Sequence, residues 1–417
     1  MPLTFALFLQ LAVIQKLYMA TKFAYLVDAP LPADADWIVI TTLEPHIATV
    51  YGHDPAQEYR IANALYDLPD SGRIFYMHYK ASLLAEGYLM SQFDQCLLYR
   101  ITPTETTYII VYVDDTFIFS NSLANLDQVI TNVGKHYEVT LDSDASSFLG
   151  LSLAHNTDGT VTITQPKLLQ KLFSLYPPRI NPGSSKSPPT HPTHPYPMTP
   201  TRPLLPQILR LLGILLYLTK SRPDIMAAVS FAGTKSSSPT DKEDLSDLYY
   251  VVEYLRATPD IGHILHQYIF SILRLYCEVV DASNLLHPDS KGYTGYTTSF
   301  NGTNNSTFYD DRSVKQTAVA TSSTYAEART IFTDLNFIIA HPLPGASYPL
   351  ELPAIVMEDN SAVVTMSNNE TTAYAKKCKH FLMVINYVKE QIALVGQIEA
   401  RKIYWKLNNH RFPLVPI

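Results

Sequence analysis

TYIIVYVDDTFIFS, residues 107–120, is an apolar run rich in β-branched and aromatic side chains. It enters two adjacent aspartates, Asp114 and Asp115, and leaves them on a second apolar run. Two such runs about a short polar break predict a β-hairpin. Its tip carries two carboxylates where a tight turn more often carries Asn-Gly or Asp-Gly. Neighbouring carboxylates repel unless a cation relieves them. A hairpin presenting Tyr112-Val113-Asp114-Asp115 therefore points to divalent-metal and phosphate chemistry. On these four residues alone, a solvated acidic turn stays open as the alternative.

Upstream of the hairpin, residues 4–19 read as a buried helix, too short to span a bilayer. Trp37–Thr42 reads as a strand, DLPDSGR (67–73) as a turn-rich break and Arg73–Leu89 as a helix through Phe75, Tyr79, Leu83 and Leu84. Phe93–Tyr99 is a strand. Downstream, Leu123–Tyr137 is helical, and Asp158-Gly159 sits between two apolar runs as a hairpin signal ahead of a helix over 165–175. Eleven prolines then fall between Pro177 and Pro206, a composition that suits an extended linker and neither a helix nor a central strand. Helices follow over 207–220, 223–233 and 241–257, with Pro223 at a helix start. After His263 the pattern turns to strands over 270–282, 292–300 and 354–357, with helices over 323–340, 361–367 and 381–391.

At 417 residues the chain has room for more than one domain. Hydrophobic content of 47% with 17% charged residues supplies real cores. The net charge of −7 has the wrong sign for a strong sequence-independent grip on nucleic acid, though it leaves room for a local basic groove. Cys96, Cys277 and Cys378 are scattered, with no Cys-x-x-Cys pair, so neither a zinc site nor a disulfide framework is indicated. A cytoplasmic or nuclear compartment with no membrane association is the expectation.

Eight ordered blocks carry a resemblance. They are ANALYDLPDSGRIFY (62–76), GYLMSQFDQCLLYR (87–100), YVDD (112–115), SFLGLSL (147–153), LGILLYLTKSRPDI (212–225), VVEYLRATPD (251–260), SVKQTAVATSSTYAEA (313–328) and EDNSAV (358–363). In sequence and order they resemble the reverse transcriptase and ribonuclease H region of Ty1/copia-type retrotransposon Pol polyproteins. The resemblance implies an α+β palm-type polymerase fragment followed by an α/β ribonuclease H-like domain. The segments would be 1–175 palm and fingers, 176–206 Pro-rich linker, 207–265 helical thumb or connection and 266–405 ribonuclease H-like domain. It also implies Mg²⁺ or Mn²⁺ as cofactor, and an RNA template, a DNA primer, dNTPs and an RNA–DNA hybrid as partners.

The family's polymerase site holds two metals on three aspartates. Two match Asp114 and Asp115. The third belongs to a pattern like Asp-Val-Lys-x-Ala-Phe/Tyr-Leu, matched by ATKFAYL (20–26), in which Ala20 stands at the aspartate position. Tyr25 falls where the family places an aromatic that excludes the ribose 2′-hydroxyl; a core tyrosine is the equal alternative. Asp67 stands where the family usually has Gly in Leu-Tyr-Gly-Leu, while Gly72 and Arg73 fit the family pattern, which implies that Tyr25 and Arg73 bind the nucleotide. For the nuclease, Asp281, Glu327 and Asp359 match three metal ligands, and Leu382 stands where the fourth aspartate belongs. Taken singly, Asp281 could end a strand, Glu327 could pair with Thr324 in a capping box, and Asp359 with Asn360 could cap a helix. Lys376, Lys377, Lys379, His380, Lys389, Arg401 and Lys402 make the most basic segment, either a phosphate-tracking patch or a solvated face. The expectation is a truncated, degenerate copy with impaired polymerase activity. The alternative is a non-catalytic nucleic-acid- or protein-binding remnant of a retroelement.

Overall fold

The chain is seen as a computed structural model that describes residues 3–24, 40–42, 44–60, 70–92, 94–178, 205–234, 242–267, 273–280, 291–300, 308–317, 325–330, 350–358, 360–368 and 398–402, with single positions 30, 63, 319 and 386. These fall into two compact units: residues 15–149, and residues 1–14 together with 150–417. Helix α1 (Leu3–Gln15) leads into strand β1 (Tyr18–Ala24). The helical reading of residues 4–19 thus ends early. Tyr18, Met19 and Ala20 join β1, where the sheet gives their backbone groups partners.

The unit of residues 15–149 is built on a six-stranded sheet. Its members are β1, β4 (Leu89–Met90), β5 (Leu97–Ile101), β6 (Thr106–Tyr112), β7 (Asp115–Ser120) and β8 (Val139–Asp142), in the order β4-β5-β6-β7-β1-β8. Two short strands, β2 (Ile40–Thr42) and β3 (Glu58–Arg60), pair separately, and β9 (Ser147–Phe148) closes the unit. Helices α2 (Pro45–Tyr51), α3 (Ser71–Ala85) and α4 (Leu123–Gly134) complete it.

Strand β7 pairs antiparallel with β6 on one side and β1 on the other. Side chains alternate between faces along a strand, so the pairing fixes which residues share a face. Ala20, Ile109, Val111 and Ile118 join one core with Phe75, Tyr79 and Leu83 of α3 and Leu126, Val129 and Val133 of α4. The α3 residues recur every four positions, as a helix with one buried stripe requires. On the opposite face of β7, Phe117 stacks on Phe119 at 4.5 Å between ring centroids and meets Phe148 edge-on at 5.2 Å. Burial on both faces explains why both arms of the hairpin are almost wholly apolar.

In the other unit, β10 (Leu151–His155) and β11 (Val161–Thr164) form the hairpin foreseen at Asp158-Gly159, with Gly159 at φ +82°. β12 (His263–Leu265) extends the ladder. Helices α5 (Pro166–Leu175), α6 (Leu205–Leu218), α7 (Met226–Thr234) and α8 (Lys242–Ala257) share one apolar core. The segment SRPDI lies between α6 and α7, its last three residues a 3₁₀ turn. Arg222 there is 1% exposed. Its guanidinium donates to Asp224 through Nε (2.9 Å) and Nη2 (2.7 Å), and to the Thr258 carbonyl through Nη1 (2.8 Å). The Tyr254 hydroxyl donates to the same Asp224 carboxylate at 2.7 Å. A buried charge is tolerable only when paired and hydrogen-bonded to this degree.

Strands β13 (Leu273–Val280), β14 (Tyr293–Phe300), β15 (Phe308–Lys315), β16 (Leu350–Glu358) and β17 (Ile398–Lys402) form a five-stranded sheet ordered β15-β14-β13-β16-β17. β13 runs antiparallel to β14 and parallel to β16, and β16 runs parallel to β17. Helix α9 (Ser361–Asn368) follows β16. β8, β15 and β17 are strands that the periodicity did not reveal. Each is short or rich in charged and small polar residues, and takes its conformation from a neighbouring strand. The Pro-rich segment over 179–204 and the helix expected over 381–391 lie outside the described residues, Asn386 apart, and so does 331–340 of the helix expected over 323–340. Among the described residues, no helix is long and apolar enough to cross a membrane.

Candidate functional site

Tyr112 pairs directly with Asp115, so the hairpin turns on two residues, Val113 and Asp114. Val113 has φ 56°. Positive φ at the first central residue is what a two-residue turn matching strand twist uses, normally with glycine. A β-branched residue there costs roughly 1–2 kcal/mol. Strain of this kind persists where surrounding structure holds it, and it clusters at functional sites. The support here comes from α3. Thr116, the first residue past the aspartates, donates from Oγ1 to the Tyr79 hydroxyl at 3.2 Å. A Cβ built on Gly72, in the first turn of α3, would stand 3.4 Å from Val113 Cγ1.

Asp115 is half-buried, and its carboxyl is pushed up to about 6, first by burial and then by the charge of Asp114. The pair therefore holds more negative charge than its surroundings favour, and a cation would relieve it. Two carboxylates are the oxygen donors that Mg²⁺ or Mn²⁺ takes, so the donor chemistry fits a divalent ion. The donor number is low: among the described residues no group of three or more His, Cys, Asp or Glu could hold a metal.

The family resemblance, with three aspartates sharing one site, implies that position 20 lies across the sheet from this pair. The register corrects that: Ala20 pairs with Ile118, and the register partner of Asp115 on β1 is Phe23. Positions 20 and 23 differ by an odd number, so Ala20 and Asp115 belong to opposite faces. Ala20 is fully buried in the core beneath α3 and α4. Lys22, two residues on and also buried, donates from Nζ to the Ile130 carbonyl of α4 at 2.8 Å. Burial pushes its ammonium down to about 8, with the charge of Glu86 acting in the opposite direction.

Arg73 is exposed in the first turn of α3, beside Gly72. Glu327 is buried on a helical segment over 325–330, where Gln316 Nε2 donates to the Ala326 carbonyl at 2.8 Å. Tyr25, Asp281, Asp359 and Leu382 lie outside the described residues, as does Asp67. Asn360 caps α9, its Oδ1 accepting from the backbone N–H of Ala362 at 3.0 Å and of Val363 at 3.3 Å. Beside it, the fully buried Glu358 accepts the Asn360 N–H at 2.9 Å. The sequence reading passed over Glu358, which only its burial distinguishes. Of the basic segment, Arg401 and Lys402 fall on β17, and the remaining members are outside the described residues.

With this geometry in view, residues 34–176 match the family model of reverse transcriptase (RNA-dependent DNA polymerase). The stretch includes the aspartate hairpin, α3 and α4, and it begins beyond Ala20 and Tyr25. The chain is also 25% identical over 345 residues to the Retrovirus-related Pol polyprotein from transposon RE2 of Arabidopsis thaliana, across 80% of this chain and 22% of that protein. Its likeness to the Pol polyprotein from transposon RE1 of the same plant is also 25%, over 336 residues and 80% of this chain. A putative transposon Ty5-1 protein of Saccharomyces cerevisiae is 25% identical over 121 residues, 29% of this chain and 39% of that one. The resemblance to copia-type retrotransposon Pol polyproteins therefore holds over most of the chain. The chain spans about a fifth of the length of the plant relatives.

Proposed function

We propose that the chain is the polymerase and ribonuclease H portion of a copia-type retrotransposon polyprotein, with an RNA-directed DNA polymerase centre at Asp114 and Asp115 that works poorly. The observation that carries this reading is the pair of crowded carboxylates on a strained two-residue turn, within the stretch that matches the reverse transcriptase model. Asp114 and Asp115 would hold Mg²⁺ or Mn²⁺. A divalent ion supplies Lewis-acid stabilisation of the triphosphate and activates an attacking hydroxyl. Arg73, an exposed cation at the start of α3, is available to triphosphate charge. Tyr25 matches the family aromatic that excludes a 2′-hydroxyl. The substrates are an RNA template, a DNA primer and dNTPs. Activity is low because β1 brings no carboxylate to the face of Asp115.

The five-stranded sheet, with three parallel strands at its centre and one edge and two antiparallel strands beyond, suits a ribonuclease H-like domain acting on the RNA strand of a hybrid. Asp281, Glu327 and Asp359 would share its metals, weakly, since Leu382 supplies no fourth carboxylate. A non-catalytic remnant is the second reading, favoured by Ala20 in the core. The test is primer extension on an RNA template with Mg²⁺ or Mn²⁺, comparing the natural chain with Asp114→Asn and Asp115→Asn. Slow, metal-dependent extension lost in both variants supports the polymerase. No extension with either ion supports the remnant. Hybrid cleavage that survives Asp281→Asn removes the nuclease assignment.

A further inference from the structure

We infer that Gly72 is a positioning residue for the metal-binding turn: the start of α3, bare of a side chain there, leaves the room that Val113 fills in its left-handed conformation and so fixes the spacing of Asp114 and Asp115. The inference rests on the metal-site reading above and deepens it. Three observations carry it. Val113 is at φ 56°, which a valine does not hold unaided. Among the described residues, its own chain neighbours and helix backbone apart, a Cβ on Gly72 would meet within 4 Å only the side chain of Val113, at 3.4 Å to Cγ1. The rest of α3 is tied to the same hairpin one residue past its tip, with Phe75 and Tyr79 fully buried and the Tyr79 hydroxyl accepting from Thr116. The α3 end is thus a place where a side chain larger than a methyl group would compete with Val113 for the same room.

The geometry sets a graded expectation. A Cβ at 3.4 Å reaches ordinary contact, so alanine at 72 disturbs the turn little. A branched or longer side chain needs the volume that Val113 fills, and the turn must then swing away. Glycine at 113 removes both the strain and the side chain that fills this room, leaving the two carboxylates free to take several arrangements.

The experiment titrates the full chain with Mn²⁺ and follows the free-ion signal by electron paramagnetic resonance, beside urea unfolding of the same samples. Gly72→Leu and Val113→Gly should each weaken Mn²⁺ affinity about tenfold, equivalent to about 1.4 kcal/mol. Gly72→Ala should weaken it less than Gly72→Leu does. Val113→Gly should raise the urea midpoint in the natural background. In a double-mutant cycle the Gly72→Leu and Val113→Gly effects on unfolding should be coupled by at least fivefold. Additive effects on unfolding, or Mn²⁺ affinity unchanged in both variants, overturn the positioning role while leaving the metal site standing. A natural chain that takes up no Mn²⁺ overturns the metal-site reading, and the positioning role with it.

Discussion

Ala20→Asp restores on paper the carboxylate that the family pattern places at this position, and the structure predicts that it fails. Ala20 is fully buried, and its neighbours in the core are Ile109, Val111, Ile118, Phe75 and Tyr79. An aspartate there stands on the helix face of the sheet, away from Asp115. It must lose its charge or retain it in an apolar core. Neutralising a carboxyl of ordinary pKa about 3.9 at pH 7 costs about 4 kcal/mol, at about 1.36 kcal/mol per unit. Lys22, on the same face, offsets part of this only by releasing the Ile130 carbonyl. The expected loss is about 3–4 kcal/mol at pH 7. The sign follows from linkage: a carboxyl whose folded pKa is raised penalises the fold above its unfolded pKa. The penalty therefore shrinks as pH falls, to about 1.5 kcal/mol at pH 5, and vanishes near pH 4. Urea unfolding of the natural chain and the variant at pH 7 and pH 5 measures it, with Mn²⁺ titration and primer extension on the same samples. Undiminished stability together with tighter Mn²⁺ binding and faster extension would refute the reasoning. It would mean that β1 sits one residue out of the register described.

Two further outcomes follow from the electrostatics of the fold. Asp115→Asn should stabilise the chain above pH 6, because the folded state raises the Asp115 carboxyl to about 6 from 3.8; the gain, cut by water screening at this half-buried carboxyl to about 1–2 kcal/mol, fades as pH falls toward 4. Millimolar Mg²⁺ should narrow that gap by stabilising the natural chain alone, which unfolding at pH 7.5 with and without the ion reads out. Asp224→Ala strands Arg222 in the helical core and should cost about 3–5 kcal/mol, whereas replacing Arg222 and Asp224 together by apolar residues should cost much less; unfolding midpoints of the natural chain and these two variants decide it.

Much of the architecture was legible because burial leaves a period in the sequence. Phe75, Tyr79 and Leu83 announced α3, and the runs about Asp114-Asp115 announced β6 and β7. The SRPDI block was visible only as a word shared with a family. Its work as an ion pair joining Arg222, Asp224, Tyr254 and Thr258 depends on partners 30 and 36 residues away in the chain. β8, β15 and β17 escaped because their pattern is weak and their conformation is supplied by a neighbouring strand.

The sequence by itself determined that a hairpin presents two adjacent carboxylates, since apolar runs and a polar break are local facts. It also determined the resemblance to retrotransposon Pol polyproteins, which resides in ordered words. It could not determine where Ala20 points. Alternation along a strand is relative, and only pairing with a neighbour fixes which parity faces the helices. That pairing sets Ala20 against Ile118 and gives its face to α3 and α4. Nor could it show that Val113 is held at positive φ, because that conformation belongs to the two-residue turn that the closure of β6 on β7 sets.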